Sequence, residues 1–159
     1  MAIKAIPDGY HSATPYLIVK GAAEAIAFYK QAFGATELFR MANPDGKVGH
    51  AEIRIGDSVI MLADEHPDMG YRSPRSLGGS AVSIMLYMED VDGVFARALK
   101  AGARAQREVA NQFYGDRNGT LEDPFGHVWT IATHVEDVPA EEIERRVAAM
   151  KSSASAAAG

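Results

Sequence analysis

His50 and Glu52 stand two residues apart in the run Val48-Gly49-His50-Ala51-Glu52-Ile53-Arg54-Ile55, where apolar and polar residues alternate. Alternation at period two marks a half-buried strand, so both side chains project from one face. An imidazole beside a carboxylate can move a proton, which makes the two candidates for acid/base work. The same pattern fits a solvated strand face with Glu52 paired to Arg54 or Arg117, and no third, orienting group is identifiable in the sequence. As a metal site the two are one ligand short of the usual three. Arg117 suits a carboxylate or phosphate group, and an ion pair with Asp116 or Glu122 suits it equally. The remaining histidines are placed less favourably. His127 alternates away from the face that carries Thr130, His11 and His134 flank strands, and His66 falls in a linker.

Other chemistries are excluded by absence. The chain has no cysteine, so thiolate nucleophiles, disulfides, iron–sulfur clusters and Cys-type zinc sites are ruled out. It has no Gly-x-Gly-x-x-Gly, no Walker loop, no His-Glu-x-x-His and no nucleophile elbow. Gly78-Gly79 runs into Ser80-Ala81-Val82 with no lysine to hold a phosphate, and reads as linker. The net charge of −5 argues against nucleic acid and against an acidic membrane surface. At 159 residues and 47% hydrophobic composition, the chain suits one domain, or two small modules on one core. No apolar run approaches the ~20 residues that span a bilayer. Met1 to Pro7 carries no export signal, so a cytoplasmic protein is expected.

The elements that must position these residues occur twice. A strand end leads into a helix with Ala22, Ile26, Tyr29 and Phe33 on one face, closed by Gly34. The layout returns with Val91, Val94, Phe95, Ala98 and Leu99, closed by Gly102, which lies 68 positions after Gly34. Each half reads β-α-β-β-β. Strands are expected near 14–20, 36–42, 48–55 and 58–64, then near 81–88, 103–109, 117–122 and 127–133. The modules are set at 12–64 and 80–135, joined by a Pro/Gly-rich linker at 65–79. A C-terminal helix follows Pro139 within 136–151, with Ile143, Val147 and Met150 as its stripe, and a disordered tail is expected at 152–159. The fold class is α+β: two tandem βαβββ modules forming a curved mixed-sheet cup, plus a C-terminal helix.

A helix containing Phe28-Tyr29-Lys30-Gln31-Ala32-Phe33-Gly34-Ala35, in tandem modules that end on the hairpin Asp123-Pro124-Phe125-Gly126-His127, resembles the vicinal oxygen chelate superfamily. That superfamily holds glyoxalase I, extradiol dioxygenases, fosfomycin-resistance enzymes and bleomycin-binding proteins. Ile53-Arg54-Ile55-Gly56-Asp57-Ser58 and Gly115-Asp116-Arg117 are most similar to its PhnB-like branch. The resemblance implies one cavity between two half-cups, and a divalent metal on the first and fourth strands of each module. Those positions carry Thr14, Met61, Ser83 and Thr130. A thioether and three neutral hydroxyls are not a ligand set for zinc, nickel or iron, so no metal and no cofactor is expected.

Strand parity then assigns the cavity wall. Tyr16 and Ile18 accompany Thr14, Met85 and Tyr87 accompany Ser83, and Val128 and Ala132 accompany Thr130, while Trp129 and Ile131 face the helices. A two-residue turn at Gly56-Asp57 pairs Ile55 with Ser58 and sets Glu52 opposite Met61, placing His50, Glu52 and Arg54 in the cup. The same parity in the second module puts Leu121, Gly119 and Arg117 there, with Gln112 and Tyr114 at the rim. Aromatic and thioether walls with few polar groups suit a small, partly planar organic ligand. The leading expectation is a metal-independent small-molecule binding protein of the glyoxalase/bleomycin-resistance type. The alternatives are an enzyme of the same fold, making an isomerase-, lyase- or transferase-like step with His50 and Glu52 or a rebuilt metal site, and a module whose cavity is vestigial. A homodimer, with or without exchange of modules, is the expected assembly.

Overall fold

Leu17 and Val19 alternate with more exposed neighbours, and this short apolar run forms the first strand, β1 (Tyr16–Val19). The computed structural model describes residues 2–159. After β1 come α1 (Ala22–Phe33), β2 (Thr36–Ala42), β3 (Val48–Ile55) and β4 (Ser58–Asp64). The second module repeats the order as β5 (Ser83–Tyr87), α3 (Val91–Lys100), β6 (Arg104–Asn111), β7 (Asp116–Glu122) and β8 (Val128–His134). Between them lie a 3-10 turn at Pro67–Met69 and the four-residue α2 (Pro74–Leu77), and α4 (Ala140–Ala157) ends the chain. The protein is therefore α+β, with two four-stranded mixed sheets ordered β1-β4-β3-β2 and β5-β8-β7-β6. β1–β4 and β5–β8 pair parallel, and the other neighbours pair antiparallel.

Equivalent residues start α1 and α3, the helices of the two modules. The Asp64 carboxylate accepts the N–H groups of Gly21 and Ala22 at 2.9 Å each, satisfying donors that the first turn of α1 leaves free. Thr133, 69 positions later, accepts Val91 N–H at 3.0 Å and donates to Met88 O at 2.6 Å. In both modules the last strand thus fixes where the helix begins. Gly34 ends α1 at φ 67°, a left-handed conformation that glycine adopts without Cβ strain, and its N–H reaches Lys30 O.

The helix-covered faces of both sheets close on a single core. Tyr29 and Phe33 of α1 lie 5.3 and 4.9 Å, centroid to centroid, from Trp129 of β8, and α1 packs directly on α3. Each of these rings buries about 150–250 Å², or roughly 4–6 kcal/mol of gross hydrophobic free energy. Asp123, in the turn before β8, is itself buried and accepts four donors: Tyr29 Oη (2.6 Å), Trp129 Nε1 (2.9 Å), and the backbone N–H of Phe125 and His127 (2.9 and 3.0 Å). His127 Nε2 lies 2.9 Å from Ile18 O, tying that turn to β1. This arrangement leaves the opposite, helix-free face of each sheet open.

At the C-terminus the structure departs from the expected disordered tail, because α4 continues to Ala157. The segment is rich in alanine, the residue that loses least side-chain entropy in a helix. The segment 65–79 is also more ordered than its composition suggests. Glu65 accepts the Ser73 N–H at 2.7 Å and His66 bridges to Tyr71, so the connection between modules is pinned at its middle.

Candidate functional site

In the first module the two-residue turn sets the register. Ile55 pairs with Ser58 and Glu52 with Met61, as parity requires. His50, Glu52 and Met61 therefore share the open face, and Tyr16 joins them from β1, where it lies beside Met61. Phe39 and Met41, from the bulged strand β2, lie opposite Glu52 and His50 and cover the same face.

These groups form a hydrogen-bonded chain. Tyr16 Oη is 2.7 Å from His50 Nδ1, His50 Nε2 is 3.1 Å from Glu52 Oε1, and the Tyr10 hydroxyl donates to Glu52 Oε2. The hydrogen bond from Tyr10, then that from His50, hold the Glu52 carboxyl below its ordinary range, so it is ionised and accepts only. In a neutral His50, Nε2 then carries the proton and Nδ1 accepts from Tyr16. Partial burial pushes the Tyr16 phenol up, which keeps it a donor. The orienting groups invisible to the sequence reading are thus Tyr16 and Tyr10. Tyr10 lies in the segment before β1, 42 residues from its partner, and no local pattern announces that contact.

The second module corrects the parity assignment. Glu122 pairs with Val128 across a five-residue turn, and Thr120 pairs with Thr130. Leu121 lies opposite Trp129 and Gly119 opposite Ile131, so both face the helices. A Cβ on Gly119 would come within 2.9 Å of Phe95 and Val109. Arg117 also leaves the open face: its guanidinium grips Asp92 of α3 with two hydrogen bonds of 2.8 Å. The physical reason is the turn. A one-residue change in register moves every side chain to the other face.

The open face of the second module instead carries Ser83, Met85 and Tyr87 from β5, Val128, Thr130 and Ala132 from β8, and Asn118 and Thr120 from β7. Thr120 Oγ1 and Thr130 Oγ1 are 2.9 Å apart. Arg107 of β6, opposite Thr120, joins this face and was missed by the sequence reading. Its one available signal was the repeat, since it lies 68 positions after Phe39. Tyr114 reaches the rim by accepting from Asn118 Nδ2 at 2.7 Å, whereas the Gln112 amide turns back to Ala110 O at 3.3 Å. At the far end of this sheet, Asp116 accepts the Tyr87 hydroxyl at 2.7 Å, and His134 bridges Asp116 and Asp137 at 2.8 and 2.7 Å.

Thr14, just before β1, lines a groove of about 720 Å³ between β1 and β5, together with Ser83. Thr14, Met61, Ser83 and Thr130 offer only hydroxyl and thioether donors, and the Thr130 hydroxyl is already engaged by Thr120. This set does not fit a divalent metal. Among the described residues no cluster of three or more His, Asp or Glu side chains is placed to hold one elsewhere. The open faces keep large side chains in contact with solvent: Tyr16 is 47% exposed, Phe39 52%, Met85 47% and Tyr87 58%. Among the described residues no helix is long and apolar enough to cross a membrane.

The model of the Glyoxalase/Bleomycin resistance protein/Dioxygenase superfamily matches residues 10–131. Uncharacterized protein Rv0887c of Mycobacterium tuberculosis is 47% identical over 134 residues, covering 82% of this chain and 79% of that protein. Among solved structures, protein PA1353 from Pseudomonas aeruginosa superposes with a TM-score of 0.65 at 25% identity, covering 79% of this chain and 99% of that one. A PhnB protein from Bacillus cereus, described as a putative 3-demethylubiquinone-9 3-methyltransferase, gives a TM-score of 0.60 at 20% identity over 77% of this chain and 99% of that one.

Proposed function

Since the chain belongs to the Glyoxalase/Bleomycin resistance protein/Dioxygenase superfamily, we propose that it binds a small, partly planar organic molecule on its open sheet faces without the superfamily's metal. The observation that carries this reading is the donor set. Where the metal ligands are expected stand Thr14, Met61, Ser83 and Thr130, while half-exposed aromatic and thioether side chains surround them. Such walls gain from burying a flat apolar ligand, and the scattered hydroxyls supply orientation. The fold likeness to the Bacillus cereus protein supports a place in the PhnB-like branch, and carries nothing of its described methyl transfer to this chain.

The cup becomes complete with a second copy. Within one chain α1 packs on α3 and the helix-covered faces share one core, so the open faces lie on the sides of the sheets away from that core. β1 and β5 are both sheet edges, and both border the groove that contains Thr14 and Ser83. A homodimer with β1 of one copy beside β5 of the other joins one face from each chain into one cavity. It also covers Val82, which is 70% exposed.

A second reading is favoured by one observation, the chain Tyr16–His50–Glu52–Tyr10. A carboxylate that orients an imidazole which accepts from a phenol is the arrangement of a general acid/base. One experiment separates the readings. After a screen of planar metabolites and antibiotics identifies a ligand, Glu52→Gln keeps its affinity within about threefold if the protein only binds, and abolishes turnover if it catalyses. Light scattering accompanies it, and a mass near the 17.1 kDa of one chain would refute the dimer.

A further inference from the structure

On the open face of the second module the carboxylates are already engaged. Glu122 accepts from Arg104 at 2.7 Å, and Asp116 holds Tyr87 and His134. Arg107 has none. Its Nη1 donates to Asn118 Oδ1 at 2.9 Å and its Nη2 to Thr120 Oγ1 at 3.1 Å, both neutral acceptors. Among the described residues no ion pair includes it.

The support beneath this guanidinium is fixed. Asn118 is fully buried, and its amide donates to the Tyr114 hydroxyl at 2.7 Å. Thr120 is hydrogen-bonded to Thr130. The strand is irregular on both sides of Arg107, with register shifts at Ala105/Arg107 and Arg107/Ala110, so this side chain is presented apart from the regular ladder. Two of its five N–H donors are committed across these two bonds, and the rest keep an unneutralised positive charge available in a preorganised fork. At the equivalent place in the first module stands Phe39, opposite Glu52 rather than Thr120. This position of the bulged strand therefore carries a cation in the second module only.

We propose that Arg107 is an oxyanion seat, and that the ligand of the cup is an aromatic or planar organic anion whose acidic group, carboxylate or sulfonate, docks on its guanidinium. The proposal rests on the binding reading above and specifies its ligand class. An unpaired guanidinium fork matches two oxygens of such a group, and Met85 and Tyr87 on the same sheet face accept the flat body.

The test uses two fluorescent probes with one ring system, 8-anilinonaphthalene-1-sulfonate and the neutral N-phenyl-1-naphthylamine, titrated into the full-length protein and into Arg107→Gln. The expected result is a Kd for the sulfonate raised about tenfold by Arg107→Gln, the loss of a charge-assisted hydrogen bond. The neutral probe stays within about twofold, and an unchanged near-UV circular dichroism spectrum shows that the variant is folded. Equal changes for both probes, or none for either, overturn the anion seat and leave the binding reading standing. If neither probe binds the unmodified protein, the binding reading falls and the seat falls with it.

Discussion

Asp123→Ala should be among the most damaging single substitutions in this chain, and the structure lets its cost be worked out. The carboxylate accepts four hydrogen bonds, and two of the donors, the Tyr29 hydroxyl and the Trp129 indole N–H, belong to side chains with no solvent exposure. Among the described residues every buried polar side-chain atom has a partner, so the variant creates the first orphans. Each buried, unpaired donor costs about 1–3 kcal/mol. Phe125 and His127 are half-buried, so their backbone N–H groups turn partly to water and cost less. The total is about 3–5 kcal/mol, or about 10–15 °C in Tm for a protein of this size. Tyr29→Phe is the control. It removes one donor and leaves Asp123 three, so it should cost about 1 kcal/mol. In the double variant the two changes should be less than additive, because the Tyr29 hydroxyl is no longer there to be orphaned. The assay is urea unfolding at one fixed protein concentration, since association enters the midpoint. A loss below about 1 kcal/mol for Asp123→Ala, with an unchanged m-value, would refute the reasoning.

Two further outcomes follow from the site. Hydrogen bonds from His134, first to Asp137 and then to Asp116, raise its pKa above the ordinary imidazole value. The clamp therefore stabilises the fold fully below about pH 6.5, the unfolded value, and fades as the pH rises through the elevated one. An NMR titration should place the His134 midpoint above that of a free histidine, and Asp137→Asn should lower it; an unshifted midpoint would remove the clamp. Arg117→Gln breaks the grip on Asp92 on the helix side of the sheet, so the affinity for either fluorescent probe should stay within about twofold. A loss comparable to that of Arg107→Gln would return Arg117 to the cup.

Much of this architecture could be read from the chain, because the repeat and the strand periods are local. The Gly56-Asp57 turn fixed one register from two residues, and the register carried His50, Glu52 and Met61 to their places. The Asp123–His127 turn contains five residues, and counting it by analogy with the first module sent Leu121, Gly119 and Arg117 to the wrong face. Arg107 was hidden by irregularity, since a strand with two register shifts shows no clean alternation to follow. Tyr10 was hidden by distance along the chain. The orientation of the modules was hidden too, because Tyr29, Phe33 and Trp129 look like core residues of their own halves. Nothing in their spacing says that they meet.

That meeting has a consequence for how the chain holds together. The two halves share their interior, so neither owns a complete one, and each is to the other what a subunit is to its dimer. The segment from Glu65 to Gly79 connects them as an ordered clip, pinned on itself by Glu65–Ser73 and His66–Tyr71 and tied to the second half by Arg75 on Pro124 O, while the choice of partner lies with the rings. A chain nicked between His66 and Arg72 should remain one particle, held by an association whose specificity resides in Tyr29, Phe33 and Trp129.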